Sequence, residues 1–150
     1  ALPCARPMRP LPPSVSRDTL RAAAATVAAA HGLDLVVLFG SAARPDPGRA
    51  PEDLDLAVRA PAGCVDAVAV TNAFVAALGT QAVDVADMRR ATPLLQALVA
   101  RDGAVLHEGV PGAFAEFQSL AVRRFWDARK FREAEREAIR DFIRASGDAP

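Results

Sequence analysis

The stretch Asp53-Leu54-Asp55-Leu56-Ala57-Val58 constrains the fold of this chain more than any other. Successive side chains of a strand point to opposite faces, so Asp53 and Asp55 share one face and Leu54, Leu56 and Val58 the other, toward a core. The same register keeps Glu52 off the acidic face. Upstream, residues 34–39 (DLVVLF) read as a buried strand that stops at Gly40-Ser41. Downstream, residues 81–87 (QAVDVAD) read as a third strand, with Val83 and Val85 toward the core and Asp84 pointing away with Ala82 and Ala86. If the second and third strands pair, Asp53, Asp55 and Asp84 converge on one open patch.

The remaining segments alternate with these strands. Ser16 is placed to cap a helix that runs to about residue 30 and stops at Gly32. Residues 43–52, with three prolines and a glycine, form a loop. Residues 64–79 read as a helix ended by Gly79, and Thr92-Pro93 supplies an N-cap and first-turn proline for a helix ending at Gly103. Residues 104–107 make a short fourth strand, and 111–145 one long helix with room for a single break. No internal repeat is visible. The expected fold is α+β (or α/β): a small mixed sheet of about four strands flanked by helices, plus a long C-terminal helix. The expected organisation is a flexible proline-rich leader over 1–13, a domain over 14–110, and a helical extension over 111–150 that packs on the domain, on a partner, or on both. Met8 is a candidate native start, which would make 1–7 additional sequence.

Composition narrows the function classes. The formal net charge is zero and Lys130 is the only lysine, so no global field recommends a nucleic-acid or membrane partner. Cys4 and Cys64 are too few for a disulfide framework and lack metal-site spacing, which suits a reducing, cytoplasmic setting. Two histidines limit His-based metal sites and Ser-His catalysis. The run at 22–30 (AAAATVAAA) behind Arg17 and Arg21 superficially resembles a signal peptide, but Asp18 interrupts the basic region and an alanine-rich helix is the better reading. No run is long enough to span a bilayer.

Three neighbouring carboxylates repel one another and raise each other's pKa. Hard divalent cations reverse that, and Mg²⁺ is suited to a few carboxylates together with substrate phosphates. In two-metal sites the ions clamp the attacking and leaving oxygens. Gly40-Ser41, ending a strand and entering a short helix, offers backbone N–H groups and a hydroxyl to phosphate. Arg44 lies one turn on, within reach of a phosphate, with a solvated arginine as the competing reading. Asp34, Asp66 and Asp87 read as ordinary surface aspartates.

The pattern LFGSAAR…DLDLAV…VDVAD resembles the minimal nucleotidyltransferase (MNT) domains of the DNA polymerase beta-like superfamily, over roughly residues 18–110. Together with residues 112–134 it is similar to the MNT antitoxins paired with HEPN toxins. The resemblance implies that Gly40 and Ser41 bind nucleotide phosphates, that Asp53 and Asp55 ligate two Mg²⁺, and that Asp84 ligates the catalytic metal and helps deprotonate the attacking hydroxyl. It implies transfer of AMP from ATP to a tyrosine of a cognate HEPN ribonuclease toxin. Two departures stand out: Pro45 follows Arg44 where many relatives have Gly, and Glu52 precedes Asp53 where many have Ser.

Other features carry weaker signals. Arg101 and His107 have the spacing of the HEPN ribonuclease motif, but Gly103 and a strand intervene, so the match is coincidental. Arg89-Arg90 reads as solvated charge, with a role near nucleotide or partner as the sharper alternative. Phe114, Phe117, Ala121, Phe125, Ala128, Phe131, Ala138 and Phe142 form an apolar stripe at helical spacing. It is long enough that part of it is a candidate partner or oligomer surface, with Trp126 as an anchor. Two rival functions follow: an antitoxin that acts by binding alone through this helix, and a small-molecule transferase of the aminoglycoside-modifying kind, for which little chain is left to build a second substrate domain.

Overall fold

The computed structural model describes residues 15–44, 51 and 53–147. The leader over 1–13, most of the 43–52 loop and Glu52 lie outside the described residues. Helix α1 spans Arg17–His31; the Ser16 side chain caps it by accepting the Thr19 N–H, and Gly32 ends it in the left-handed conformation at φ 64°. Strand β1 (Leu35–Phe39) runs into a single 3-10 turn, Gly40–Ala42. Strand β2 (Leu54–Arg59) and helix α2 (Ala67–Leu78) follow, with Asp66 capping α2 at the Ala69 N–H. Then come β3 (Val83–Asp87), α3 (Pro93–Asp102, capped by Thr92), β4 (Ala104–Glu108) and α4 (Ala113–Gly147).

The four strands form one mixed sheet in the order β3-β2-β1-β4. β1 is antiparallel to β2 and β4, and β2 is parallel to β3. β1 is an unbroken apolar run because both its faces are covered. Val36 and Leu38 join Leu54, Leu56 and Val58 in a core with α1 and α2 that includes Val27, Val70 and Phe74. Leu35 and Val37 join Ala57 and Met88 in a second core with Val99 of α3 and Phe117 and Ala121 of α4.

This second core revises the simple picture of one apolar and one acidic face. Asp55 lies on the same face as Ala57, and that face is covered by α3 and α4 along most of its length. The carboxylates take the one end of it that those helices leave open. The long helix is also unbroken: its 35 residues span about 52 Å at 1.5 Å per residue. Glu108 receives the Phe114 N–H at its start, and Gln118 donates to the Ala100 carbonyl to hold it on α3. After Arg132 every described side chain of α4 is exposed. Among the described residues, no helix is long and apolar enough to cross a membrane.

Candidate active site

Pairing of β2 with β3 places Asp55 directly opposite Asp84, and pairing with β1 places Asp55 opposite Phe39, the last residue before Gly40. Asp53 stands just before β2, exposed like Asp84, while Asp55 between them is half-buried. The three aspartates, spread over 32 residues of sequence, come to one end of the sheet because parallel register aligns the starts of β2 and β3.

Gly40 completes this end. Its φ of 69° is a conformation that L side chains rarely adopt, and an added Cβ would collide with Asp55 Oδ2 and stand 3.2 Å from its Cγ. The turn therefore lies directly against the Asp55 carboxylate. Ser41 follows, exposed, and the Ala43 N–H closes the turn on the Gly40 carbonyl at 3.2 Å. Glycine is favoured here on two counts, backbone conformation and close approach.

The electrostatics follow from the packing. Partial burial raises the Asp55 pKa above the ordinary carboxylate value, and the charges of Asp84 and then Asp53 raise it further. Among the described residues no three His, Cys, Asp or Glu side chains are already closed around a point that would hold a metal ion. The convergence expected of the aspartates is thus a convergence of backbone positions at one end of the sheet, without the three side chains gathered around a single point. The donor set still fits a hard divalent cation: it is all carboxylate oxygen, fixed at one strand end, and its repulsion is of the kind a cation relieves. Asp53 and Asp84 are exposed, with room to turn toward Asp55.

Arg44, the last residue described before the 45–50 segment, does not stand free. Its guanidinium pairs with Asp102 at the end of α3, and Arg101 holds the same carboxylate at 2.7 Å. The Arg101 hydrogen bond, then the charges of Arg101 and Arg44, hold the Asp102 carboxyl below the usual range against some desolvation. Nothing in the local sequence around Arg44 signals this partner. Asp102 offers only a weak cue, an acidic residue at the negative end of a helix.

Other expected positions fall elsewhere. Asp87 is buried rather than on the surface: it accepts the Val65 N–H at 3.0 Å and the Arg89 N–H at 2.9 Å, tying two loops together. Asp34 pairs with Arg59 at 2.8 Å, largely sheltered. Asp66 caps α2. Arg89 donates to the Ala60 and Pro61 carbonyls, and Arg90 stands against Cys64. Because Asp87 pairs with Val58 and Asp84 with Asp55, both arginines lie about 10 Å or more along the sheet from the carboxylates, at its other end. Arg101 ends a helix and His107 sits on a strand, which removes the ribonuclease-like spacing from consideration. A cavity of about 410 Å³ lined by Arg59, Met88, Arg89, Gln96 and Arg124 also lies away from the carboxylates.

No family model and no curated protein matches this chain. Solved structures do. One is a crystal structure of a toxin-antitoxin with AMP-PNP, 25% identical over 82% of this chain and 97% of that one, TM-score 0.63. A second is a tri-AMPylated Shewanella oneidensis HEPN toxin in complex with MNT antitoxin, 24% identical over 85% and 98%, TM-score 0.62. A third is a mutant of the toxin-antitoxin pair MntA-HpeT, 23% identical over 86% and 98%, TM-score 0.62. The four-stranded mixed sheet, the helices on both its faces and the long C-terminal helix are therefore the fold of the minimal nucleotidyltransferase antitoxins solved with HEPN toxins.

Proposed function

We propose that this chain is an Mg²⁺-dependent nucleotidyltransferase that moves AMP from ATP to a hydroxyl, the acceptor being a tyrosine of a cognate HEPN toxin, so that the chain acts in the cytoplasm as an antitoxin by covalent modification. The observation that carries the reading is the seating of Gly40 directly on Asp55, with Asp84 paired beside it. A phosphate-compatible turn and a carboxylate cluster thereby share one site.

In this reading Asp53, Asp55 and Asp84 would hold the divalent cations. When bound, these ions supply charge neutralisation for the reacting phosphate and its leaving group. Ser41 and the backbone N–H groups of the turn take phosphate oxygens, and glycine at 40 lets the phosphate approach the backbone. Arg44 adds a guanidinium toward the phosphate tail. The acceptor oxygen forms a bond to the α-phosphorus as the bond to pyrophosphate breaks, and pyrophosphate leaves with that electron pair. The acceptor proton passes to Asp84, whose exposure leaves it open to an incoming side chain. Positioning and charge do the work, and no covalent enzyme intermediate is needed.

A second reading, neutralisation by binding alone, is favoured by one observation: Phe131 and Phe142 of α4 are 79% and 72% exposed. Such a stripe suits contact with a protein partner. One experiment separates the two. The protein is incubated with α-labelled ATP, Mg²⁺ and the HEPN protein of the adjacent reading frame, as wild type and as Asp53→Ala/Asp55→Ala. Label is expected on the HEPN protein only with the wild type. Transfer by the double variant defeats the catalytic reading. Full neutralisation in a growth assay by a variant that transfers nothing establishes the binding reading.

A further inference from the structure

Asp102 occupies a position that ordinary helix electrostatics disfavours. It is the last residue of α3, where the helix dipole is negative and a cation is the suited neighbour. Departures from local preference concentrate where a site needs them. Here the carboxylate is placed with care. Gly103 leaves α3 in extended conformation, its N–H bonded to the Val99 carbonyl at 2.8 Å, and a Cβ there would collide with that carbonyl and with Val37. The tight exit brings Ala104 beside Leu38 of β1, one residue before Phe39. Asp102 is thus carried to the same end of the sheet as Asp55 and Asp84, on the far side of β1. Its side chain is only 17% exposed and is gripped by the Arg101 guanidinium through three hydrogen bonds. Arg44, by contrast, is 62% exposed and borders the 45–50 segment. Asp102 is the anchored partner and Arg44 the one being held.

We propose that Asp102 is a positioning residue that holds the Arg44 guanidinium beside the Gly40-Ser41 turn, ready for the anionic tail of a nucleoside triphosphate. The assignment rests on the nucleotidyl-transfer reading. A free arginine has large rotamer freedom; Asp102 takes one terminal nitrogen of the Arg44 guanidinium, and the group has further N–H donors to offer a phosphate. Arg101, Asp102 and Arg44 together carry one net positive charge, so the cluster still attracts phosphate.

The sign of the effect separates positioning from simple charge. Removing a carboxylate near an anion site strengthens nucleotide binding if charge alone matters. If Asp102 positions Arg44, its removal weakens binding. The test is binding of a fluorescent ATP analogue with Mg²⁺, together with the kinetics of label transfer to the HEPN protein. Asp102→Ala is expected to weaken binding by roughly five- to tenfold, with the loss appearing in KM for ATP more than in kcat. Asp102→Asn, which keeps an acceptor oxygen, is expected to fall between, and it decides the matter if the alanine variant fails to fold. In an Arg44→Ala background Asp102→Ala should add nothing further. Binding equal to or tighter than wild type in Asp102→Ala, or additive losses in the double variant, overturns the proposal. If Asp53→Ala/Asp55→Ala still transfers label, the nucleotidyl-transfer reading fails; if it does not while Asp102→Ala is neutral, only the positioning role fails.

Discussion

Gly40→Ala tests the architecture of the site at its tightest point. Two costs are separable. Holding an alanine at φ 69° costs about 1–2 kcal/mol. Its Cβ must also displace the Asp55 carboxylate, an overpacking penalty of about 1–3 kcal/mol. The expected total is about 2–5 kcal/mol, and at roughly 2–4 °C per kcal/mol for a chain of this size the melting temperature should fall by roughly 4–20 °C. Gly32→Ala provides an internal reference. Gly32 has nearly the same φ, 64°, but nothing lies within 4 Å of its would-be Cβ, so only the backbone cost applies. Removing the obstruction gives the second reference: in an Asp55→Ala background, Gly40→Ala should cost no more than Gly32→Ala. Thermal melts of wild type, both single variants and the double variant, followed by circular dichroism, yield a coupling of about 1–3 kcal/mol between positions 40 and 55. Transfer activity of Gly40→Ala should drop at least about 100-fold, since a misplacement on the order of 1 Å suffices for that. Additive losses at 40 and 55, or a Gly40→Ala melt matching that of Gly32→Ala, would show that the turn does not rest on the carboxylate.

Asp55→Asn should stabilise the protein at neutral pH. Its folded pKa is raised, so the folded state binds the proton more tightly than the unfolded one, and wild-type stability falls as pH rises through the folded pKa. The melting-temperature gap between variant and wild type should therefore be small below about pH 4 and open toward pH 7; a gap that is constant with pH contradicts the raised pKa that burial, and then the neighbouring charges, impose on Asp55. Mg²⁺ titrated at pH 7 should raise the wild-type melting temperature more than that of Asp55→Asn; equal responses would remove Asp55 from the cation site. Asp87→Ala leaves two N–H groups without their acceptor and should cost about 1–3 kcal/mol, while the folded fraction keeps its transfer rate because Asp87 lies at the other end of the sheet. A specific-activity loss there would contradict the assigned geography. Phe131→Glu with Phe142→Glu should change stability by no more than about 0.5 kcal/mol and weaken co-purification with the HEPN protein; unchanged co-purification would leave the distal helix without a role in pairing.

The chain shows which parts of a fold are written locally. Helix ends at Ser16, Gly32, Gly79 and Thr92-Pro93 were legible because caps and glycines act on their own neighbours. Period-two alternation identified both acidic strands and put their aspartates on one face, while the register that sets Asp55 opposite Asp84 comes from the sheet itself. What alternation cannot supply is the cover on the second face. Ala57 and Ala86 look like small residues on an open surface, yet they are small because α3 and α4 come down on them. Asp87 illustrates the same limit: by period it belongs with the core side, and it is tolerated there because two loop N–H groups, unidentifiable from sequence, converge on it. The Arg44–Asp102 pair is the extreme case, joining residues 58 positions apart through a helix exit whose tightness depends on Gly103. The carboxylate cluster was readable because each aspartate breaks an apolar pattern. The residue that steadies the arginine beside it breaks only a mild preference of helix ends, so it becomes visible when the sheet brings α3 and the turn after β1 to the same edge.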